Sequence, residues 1–275
     1  MATPPVDAEA FRAFEHAGWE QAALPYRDAW VPLTRQAIAP LLDAVGAGPG
    51  VRLLDAATGL GALAAAAAAR GARATGIDFA AAMIGEARRH YPHVDFRQGD
   101  ADDLPFPDGS FDAVVIGFGL LHFARPDRAL AEAHRVLRAG GRAAFTVWAA
   151  PETAVGFEIV LGAVQACGDL DVPLPPGPPF FRFSDPAECR RTLLALGFST
   201  PSVVQLPQTW SLPAPDGLFE AMRHATVRTA GLLRAQAPAG LEAIRQAVCD
   251  AARPYARQGL LVLPMPAVLA AATKP

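Results

Sequence analysis

Nine residues, LLDAATGLG at positions 53 to 61, bring an apolar run, an acid and two glycines to the point where a strand should turn into a helix. Gly59 and Gly61 carry no Cβ, so the backbone there can come close to a bound molecule. The helix that follows offers unpaired N–H groups in its first turn. The chemistry this spacing supports is the cradling of a ligand. Gly59-Leu60-Gly61-Ala62-Leu63-Ala64 also fits the GxGxxA form of a dinucleotide-binding turn, whose acid stands about 20 residues on, and Asp78 meets that requirement equally well. The turn alone leaves the ligand open.

The elements around it narrow the reading. The Ala-rich run to Arg70 is the helix after the turn, ARATGID is a second strand ending in Asp78, and FAAAMIGEARRHYP has apolar residues at helical spacing. VDFRQGDADDLPF gives a third short strand that runs into acids. SFDAVVIGFGL gives a fourth, followed by LHFARPDRALAEAHRVLRAGG, a helix expected to stop on Gly140 and Gly141, and RAAFTVW is the fifth strand. Strands alternating with helices imply a parallel sheet covered on both faces, with ligands gathering at the carboxyl ends of the strands. The acids sit at those ends.

The motifs LLDAATGLG, ATGIDFAAAM, QGDADDLPFPDGSFDAVV and ALAEAHRVLRAGGRAAFTVW lie in order across roughly residues 51 to 148. In that order and at that spacing the chain resembles the class I S-adenosylmethionine-dependent methyltransferases, in the branch that includes the ubiquinone and menaquinone biosynthesis C-methyltransferases. The usual first motif is DxGxGxG; Ala57 stands at its first glycine, a small residue tolerated in this branch. The resemblance implies a Rossmann-like α/β fold: a seven-stranded, mostly parallel sheet with helices on both faces, the last strand antiparallel, and helical cap insertions. It implies one domain, with an N-terminal helical cap at 1–50, a cofactor-binding core at 51–150, and completion of the sheet at 151–275 around a helical insertion at 213–257. The implied cofactor is S-adenosyl-L-methionine, with S-adenosyl-L-homocysteine as product.

Residue roles follow from that cofactor. Asp55 is placed to orient the glycine loop and the methionine amino group, while Gly59 and Gly61 keep the floor open. Asp78 is placed to accept both ribose hydroxyls. Phe79 and Met83 are expected to flank the adenine, Asp100 and Ala101 to meet its edge, and Gly117, at the end of the fourth strand, to face the methionine part. Asp102 and Asp103 read as a solvated turn. Phe11, Phe14, Trp19, Tyr26 and Trp30 make the segment before the first strand dense in aromatics. Packing accounts for most of them, and Tyr26 is the one expected beside the sulfonium, where cation–π attraction is worth about 1 to 2 kcal/mol. His122 is the best-placed titratable group for an acceptor proton, ahead of His16 and His224. His90 and His93 read as surface residues and His134 as a helix-face residue, and no metal site is expected.

Composition bounds the rest. A net charge of -3 gives no electrostatic footprint for nucleic acid. The longest alanine run, 64 to 69, falls far short of the roughly 20 residues of a membrane span. The N-terminus has acids and no apolar core, so no signal peptide is expected and the location is taken as cytoplasmic. Cys167, Cys189 and Cys249 lack any CxxC spacing and read as reduced, buried thiols. PLPPGPPFF at 173 to 181 is too proline-rich for regular structure and reads as an active-site loop. Ser184 is expected to cap the helix that ends at Gly197. PSVVQLPQTWSL reads as strand six and LLVLPMPAVLAAATKP as the last strand, separated by the insertion. The function expected is methyl transfer to a small, apolar or aromatic molecule. The rivals are a non-catalytic or repurposed S-adenosylmethionine-binding protein and a nicotinamide-dependent oxidoreductase. The oxidoreductase is disfavoured by the GDADDLPFPDGSFD context and the lack of a YxxxK pair.

Overall fold

The computed structural model describes residues 7–275; residues 1–6, the start of the expected cap, lie outside the described residues. The strands are β1 (Arg52–Ala56), β2 (Arg73–Asp78), β3 (Asp95–Gln98), β4 (Phe111–Gly117), β5 (Leu137–Trp148), β6 (Ser199–Leu206), β7 (Thr209–Pro213), β8 (Ala256–Arg257), β9 (Leu260–Pro264) and β10 (Ala267–Thr273). The helices are α1 (Ala8–Ala29), α2 (Val31–Thr34), α3 (Ile38–Ala44), α4 (Ala62–Ala69), α5 (Ala81–His90), α6 (Pro126–Val136), α7 (Val155–Cys167), α8 (Pro186–Ala195), α9 (Gly217–His224), α10 (Arg228–Arg234) and α11 (Pro238–Ala252). No helix among the described residues is long and apolar enough to cross a membrane.

The main sheet runs β3-β2-β1-β4-β5-β10-β6, and β10 is antiparallel to both of its neighbours, so the fold is Rossmann-like α/β with its last strand reversed. Chain order switches direction between β1 and β4. A parallel sheet opens a crevice at such a point, beyond the carboxyl ends of its strands. Leu53 and Leu54 of β1 and Val114 and Val115 of β4 are closed from solvent, as strands covered on both faces require. Phe96 on β3 wedges against α4 and α5. A Cβ on Gly61 would come within 2.5 Å of its ring and one on Gly76 within 2.6 Å, so both glycines make room for this phenylalanine.

Several boundaries differ from the sequence expectation, each for a local reason. Helix α6 stops at Val136 rather than at Gly140 and Gly141, because the Lys274 ammonium donates to the carbonyls of His134, Arg135 and Leu137 and so satisfies the helix end without a glycine cap. Gly140, at φ 75, instead lies within β5, near a register shift opposite β4. The stretch read as strand six divides at Pro207: β6 stays in the main sheet, while β7 joins β9 and β8 in a small antiparallel sheet. The stretch read as the last strand likewise divides around Pro264 and Pro266 into β9 and β10. Proline has no N–H to give a ladder, and both breaks fall on it. Asp185, not Ser184, caps α8, accepting from Ala187 N at 2.8 Å. Only Cys189 of the three free thiols is buried; Cys249 is half-buried and Cys167 exposed.

Helix α1 ties these parts together. The N-terminus of α5 has no cap of its own, and Glu20 supplies one from α1, accepting from the N–H groups of Ala81 and Ala82. On another side, Gly18 admits Val227 against the helix backbone, since a Cβ there would lie 2.4 Å from its side chain. At its end, the Ala29 carbonyl accepts from the indole N–H of the fully buried Trp210 in β7. Glu20→Ala should therefore cost about 1 kcal/mol, the scale of a lost cap at a helix N-terminus. Hydrogen exchange should quicken in α1 and the first turn of α5 while β1 and β4 stay protected. Unchanged exchange in α1 would contradict the tie.

Candidate ligand-binding cavity

Asp55 sits on β1 between Gly76 of β2 and Val115 of β4, nearly inaccessible to solvent. One of its oxygens accepts from the Thr58 hydroxyl at 2.6 Å and from Ala64 N at 3.1 Å, which fixes the loop before α4 to the sheet. Burial pushes this carboxyl up to about 7 against the pull of those hydrogen bonds. Asp78 ends β2 and reaches across to the same loop. It accepts from Gly59 N at 2.9 Å and from Ala80 N at 3.0 Å, and burial pushes it up to about 6, with the Glu20 charge adding to the rise. Ala57, Gly59 and Gly61 all take positive φ, at 56°, 53° and 82°, so the loop is tightly coiled. Ala57 adopts a conformation that costs a residue with a Cβ roughly 1 kcal/mol, which glycine would avoid.

A cavity open at its mouth, about 1130 Å³ when the adjoining open solvent is counted, lies over this loop. Tyr26, Ala57, Gly59, Asp78, Phe79, Met83, Asp100, Ala101, Gly117 and His122 all line it, so most of the residues singled out by sequence converge on one space. A Cβ built on Gly59 meets nothing within 4 Å, so the backbone there is approachable. Two of the expected residues are placed differently. Gly61 is filled against Phe96 and serves packing rather than the cavity floor. Asp55 lines a smaller adjoining pocket with Thr58 and Leu63 and acts on the main cavity through the loop it holds.

Two further expectations, on Asp102 and on the tryptophans of α1, are corrected, and Asp100 gains a distant partner. Asp102 is buried rather than solvated: it lines the cavity and pairs with Arg125 at 3.2 Å, and burial pushes its carboxyl up. Asp100 is bridged by Arg12 of α1 at 2.6 Å, a partner that no local motif announces. Trp19 and Trp30 line the cavity alongside Tyr26 instead of serving packing alone. Phe11 and Phe14 do pack, the first beneath Arg228 and the second against Gly231. Burial raises the Tyr26 hydroxyl to about 12, so it remains a neutral group.

Much of the cavity wall is aromatic. Trp148, Phe157 and Phe180 line it, and Phe118, held at φ 57 just past β4, stacks on Trp148 at 4.2 Å. His122 closes the turn Leu120–His122 and stands edge-on to Trp19 and Phe180. Its Nδ1 lies 3.0 Å from Oε2 of Glu15, a residue with no solvent exposure, and the same oxygen accepts from the Trp19 indole at 3.1 Å. Against an ionised Glu15, which can only accept, Nδ1 donates, and among the described residues Nε2 has no protein partner in a residue that lines the cavity. The sequence offered no signal for Glu15, which lies 107 residues from the histidine it orients. His16 and His224 pair with Glu20 and Glu220 and do not line the cavity.

A family model described as a methyltransferase domain matches residues 54–145. The chain is similar to a demethylmenaquinone methyltransferase of Renibacterium salmoninarum, 46% identical over 102 residues, covering 37% of this chain and 43% of that one. It is 44% identical over 121 residues to the demethylmenaquinone methyltransferase of Beutenbergia cavernae, covering 44% and 50%. The chain thus spans about half the length of these curated relatives. Among solved structures, the YcgJ protein of Bacillus subtilis superposes with a TM-score of 0.59 at 19% identity, over 87% of this chain and 98% of that one, a likeness of fold.

The buried carboxylates give the empty protein a distinctive pH response. A raised native pKa means that the folded chain keeps a proton the unfolded chain has lost. Stability should therefore fall as pH rises from about 4 to about 7 and level off above. Asp112 and Glu132, held low by Arg52 and Arg135, act in the opposite sense only at lower pH. Asp55→Asn should flatten the fall. Urea midpoints measured across this range check it, and a wild-type midpoint that climbs between pH 5 and 7 would contradict it.

Proposed function

We propose that the chain moves a methyl group from S-adenosylmethionine to a small apolar or aromatic acceptor, a reading supported by the match of residues 54–145 to a family model described as a methyltransferase domain. The observation that carries this is one cavity whose lining combines the Asp78 carboxylate and the open Gly59 backbone with His122 and a set of aromatic side chains. The cofactor supplies a methyl on an already positive sulfonium. What remains for the chain is alignment of the acceptor, exclusion of water and, where needed, acceptance of a proton.

The residues fit the cofactor. Asp78 would take the ribose hydroxyls, its oxygens already oriented by Gly59 and Ala80. Phe79 and Met83 would flank the adenine, with Asp100 and Ala101 at its edge and Gly117 beside the methionine part. Tyr26, standing edge-on to Trp19, would bring aromatic surface to the sulfonium end. At the acceptor end, Glu15 holds His122 in the tautomer whose Nε2 lone pair is free to take a proton.

The acceptor itself is read from this chain rather than from its relatives. Trp19, Phe157, Phe180 and Thr226 lie outside the stretch matched by the family model, so the chamber they line is built mostly by α1, α7, the 173–181 loop and the α9–α10 turn. A quinone ring of the kind in the relatives' name has suitable chemistry for aromatic walls, as do other small rings.

Asp78→Ala should weaken S-adenosylhomocysteine binding by about 2 to 3 kcal/mol, the scale of lost charge-assisted hydrogen bonds. The fold should survive, as circular dichroism would check. An unchanged dissociation constant in the folded variant would remove Asp78 from the site. With an acceptor found by mass spectrometry of methylated products, His122→Gln should lower kcat by about 100-fold or more while leaving cofactor affinity near wild type. Glu15→Gln should lower it less. A fully active His122→Gln enzyme would reduce catalysis to positioning alone.

A further inference from the structure

Two arginines line the cavity, and they are in different states. Arg12 is neutralised by Asp100. Arg228, at the start of α10, meets no carboxylate within 4 Å among the described residues. It lies over the Phe11 ring at 4.8 Å and near Phe180 at 5.6 Å, with Nη2 donating to the Pro178 carbonyl at 2.8 Å. Its Nη1 is buried and makes no hydrogen bond among the described residues. An unpaired donor on a desolvated guanidinium is costly, and burial indeed pulls this arginine below its usual value.

The position is built, not incidental. The Thr226 hydroxyl donates to the Met222 carbonyl at 2.7 Å and accepts from Ala230 N at 3.0 Å, which locks the turn from α9 into α10. Val227, fully buried, is pressed into the space left by Gly18 of α1. The start of α10 is therefore fixed, and Phe11, Phe180 and the Pro178 carbonyl position the guanidinium itself.

The geometry points to a recognition role: Arg228 binds an oxyanion carried on the acceptor, so the acceptor is an acidic aromatic molecule rather than a neutral one. This rests on the methyl-transfer reading. The walls supply contact for a ring and the arginine supplies one positive charge with a free donor, which match a ring bearing a single ionised oxygen group. The other charged or titratable groups lining this space are Tyr26, His122, Asp78, held by the Gly59 and Ala80 N–H groups, Asp102, paired with Arg125, and the Arg12–Asp100 pair, with Glu15 behind His122. Glu15 has its Oε2 committed to His122 and Trp19, and its buried Oε1 makes no hydrogen bond among the described residues. Its attraction for the guanidinium acts from beyond 4 Å, so an oxyanion in direct contact prevails, because Coulomb energy falls with distance.

The test is calorimetry on the full chain saturated with S-adenosylhomocysteine, using 2-naphthoate and its neutral isostere 2-naphthamide as probes. The wild type should bind naphthoate at least about tenfold more tightly. Arg228→Met, which keeps the apolar stem over Phe11, should remove that preference and leave naphthamide and S-adenosylhomocysteine affinities unchanged. Arg228→Lys should retain part of it. No naphthoate binding at millimolar concentration, equal binding of the two probes by the wild type, or a preference that survives Arg228→Met would overturn the assignment while methyl transfer stands. Failure of the wild type to bind S-adenosylhomocysteine would overturn the methyl-transfer reading and this inference with it.

Discussion

Two carboxylates buried at the carboxyl ends of adjacent parallel strands set the terms for everything around them. Asp55 and Asp78 are each nearly closed from water; the first is tolerated because the Thr58 hydroxyl and the Ala64 N–H are turned toward it, the second because the Gly59 and Ala80 N–H groups are. The loop from Ala57 to Gly61 coils so tightly because it must deliver those donors. The desolvation cost is visible as raised pKa values, and it marks where a ligand able to donate hydrogen bonds would gain most.

The second organising element is α1. From one helix come Arg12 against Asp100, Glu15 under His122, Trp19 and Tyr26 in the cavity wall, and Glu20 on the N-terminus of α5. These contacts alternate between positioning ligand-facing groups and fastening the helix to the sheet. The insertion between β6 and β10 braces α1 from the other side, through Val227, Arg228 and Trp210. The cavity is thus walled by the sheet's loops on one part and by the added helices on the other.

What could be read from sequence was local in character. The glycine turn, Asp78 at a strand end, Gly117 and the alternation of strands and helices depend on neighbours within a few residues, and each lies where its spacing placed it. What could not be read depends on distant contacts. Lys274 ends α6 from the far terminus of the chain, Arg12 takes Asp100 across 88 residues, and Glu15 reaches His122 only once α1 has folded over the sheet. Asp102 looked solvated because three acids in four residues usually are; Arg125 and Arg128 from the start of α6 bury it instead. Gly61 looked like a ligand-facing glycine because motif spacing does not distinguish room for a ligand from room for Phe96.

The central claim, that this cavity holds S-adenosylmethionine, is tested most directly by titrating the purified chain calorimetrically with S-adenosylmethionine and, separately, with NAD. The account predicts saturable binding of S-adenosylmethionine at a single site and no heat from NAD. Saturable binding of NAD with no response to S-adenosylmethionine would contradict it.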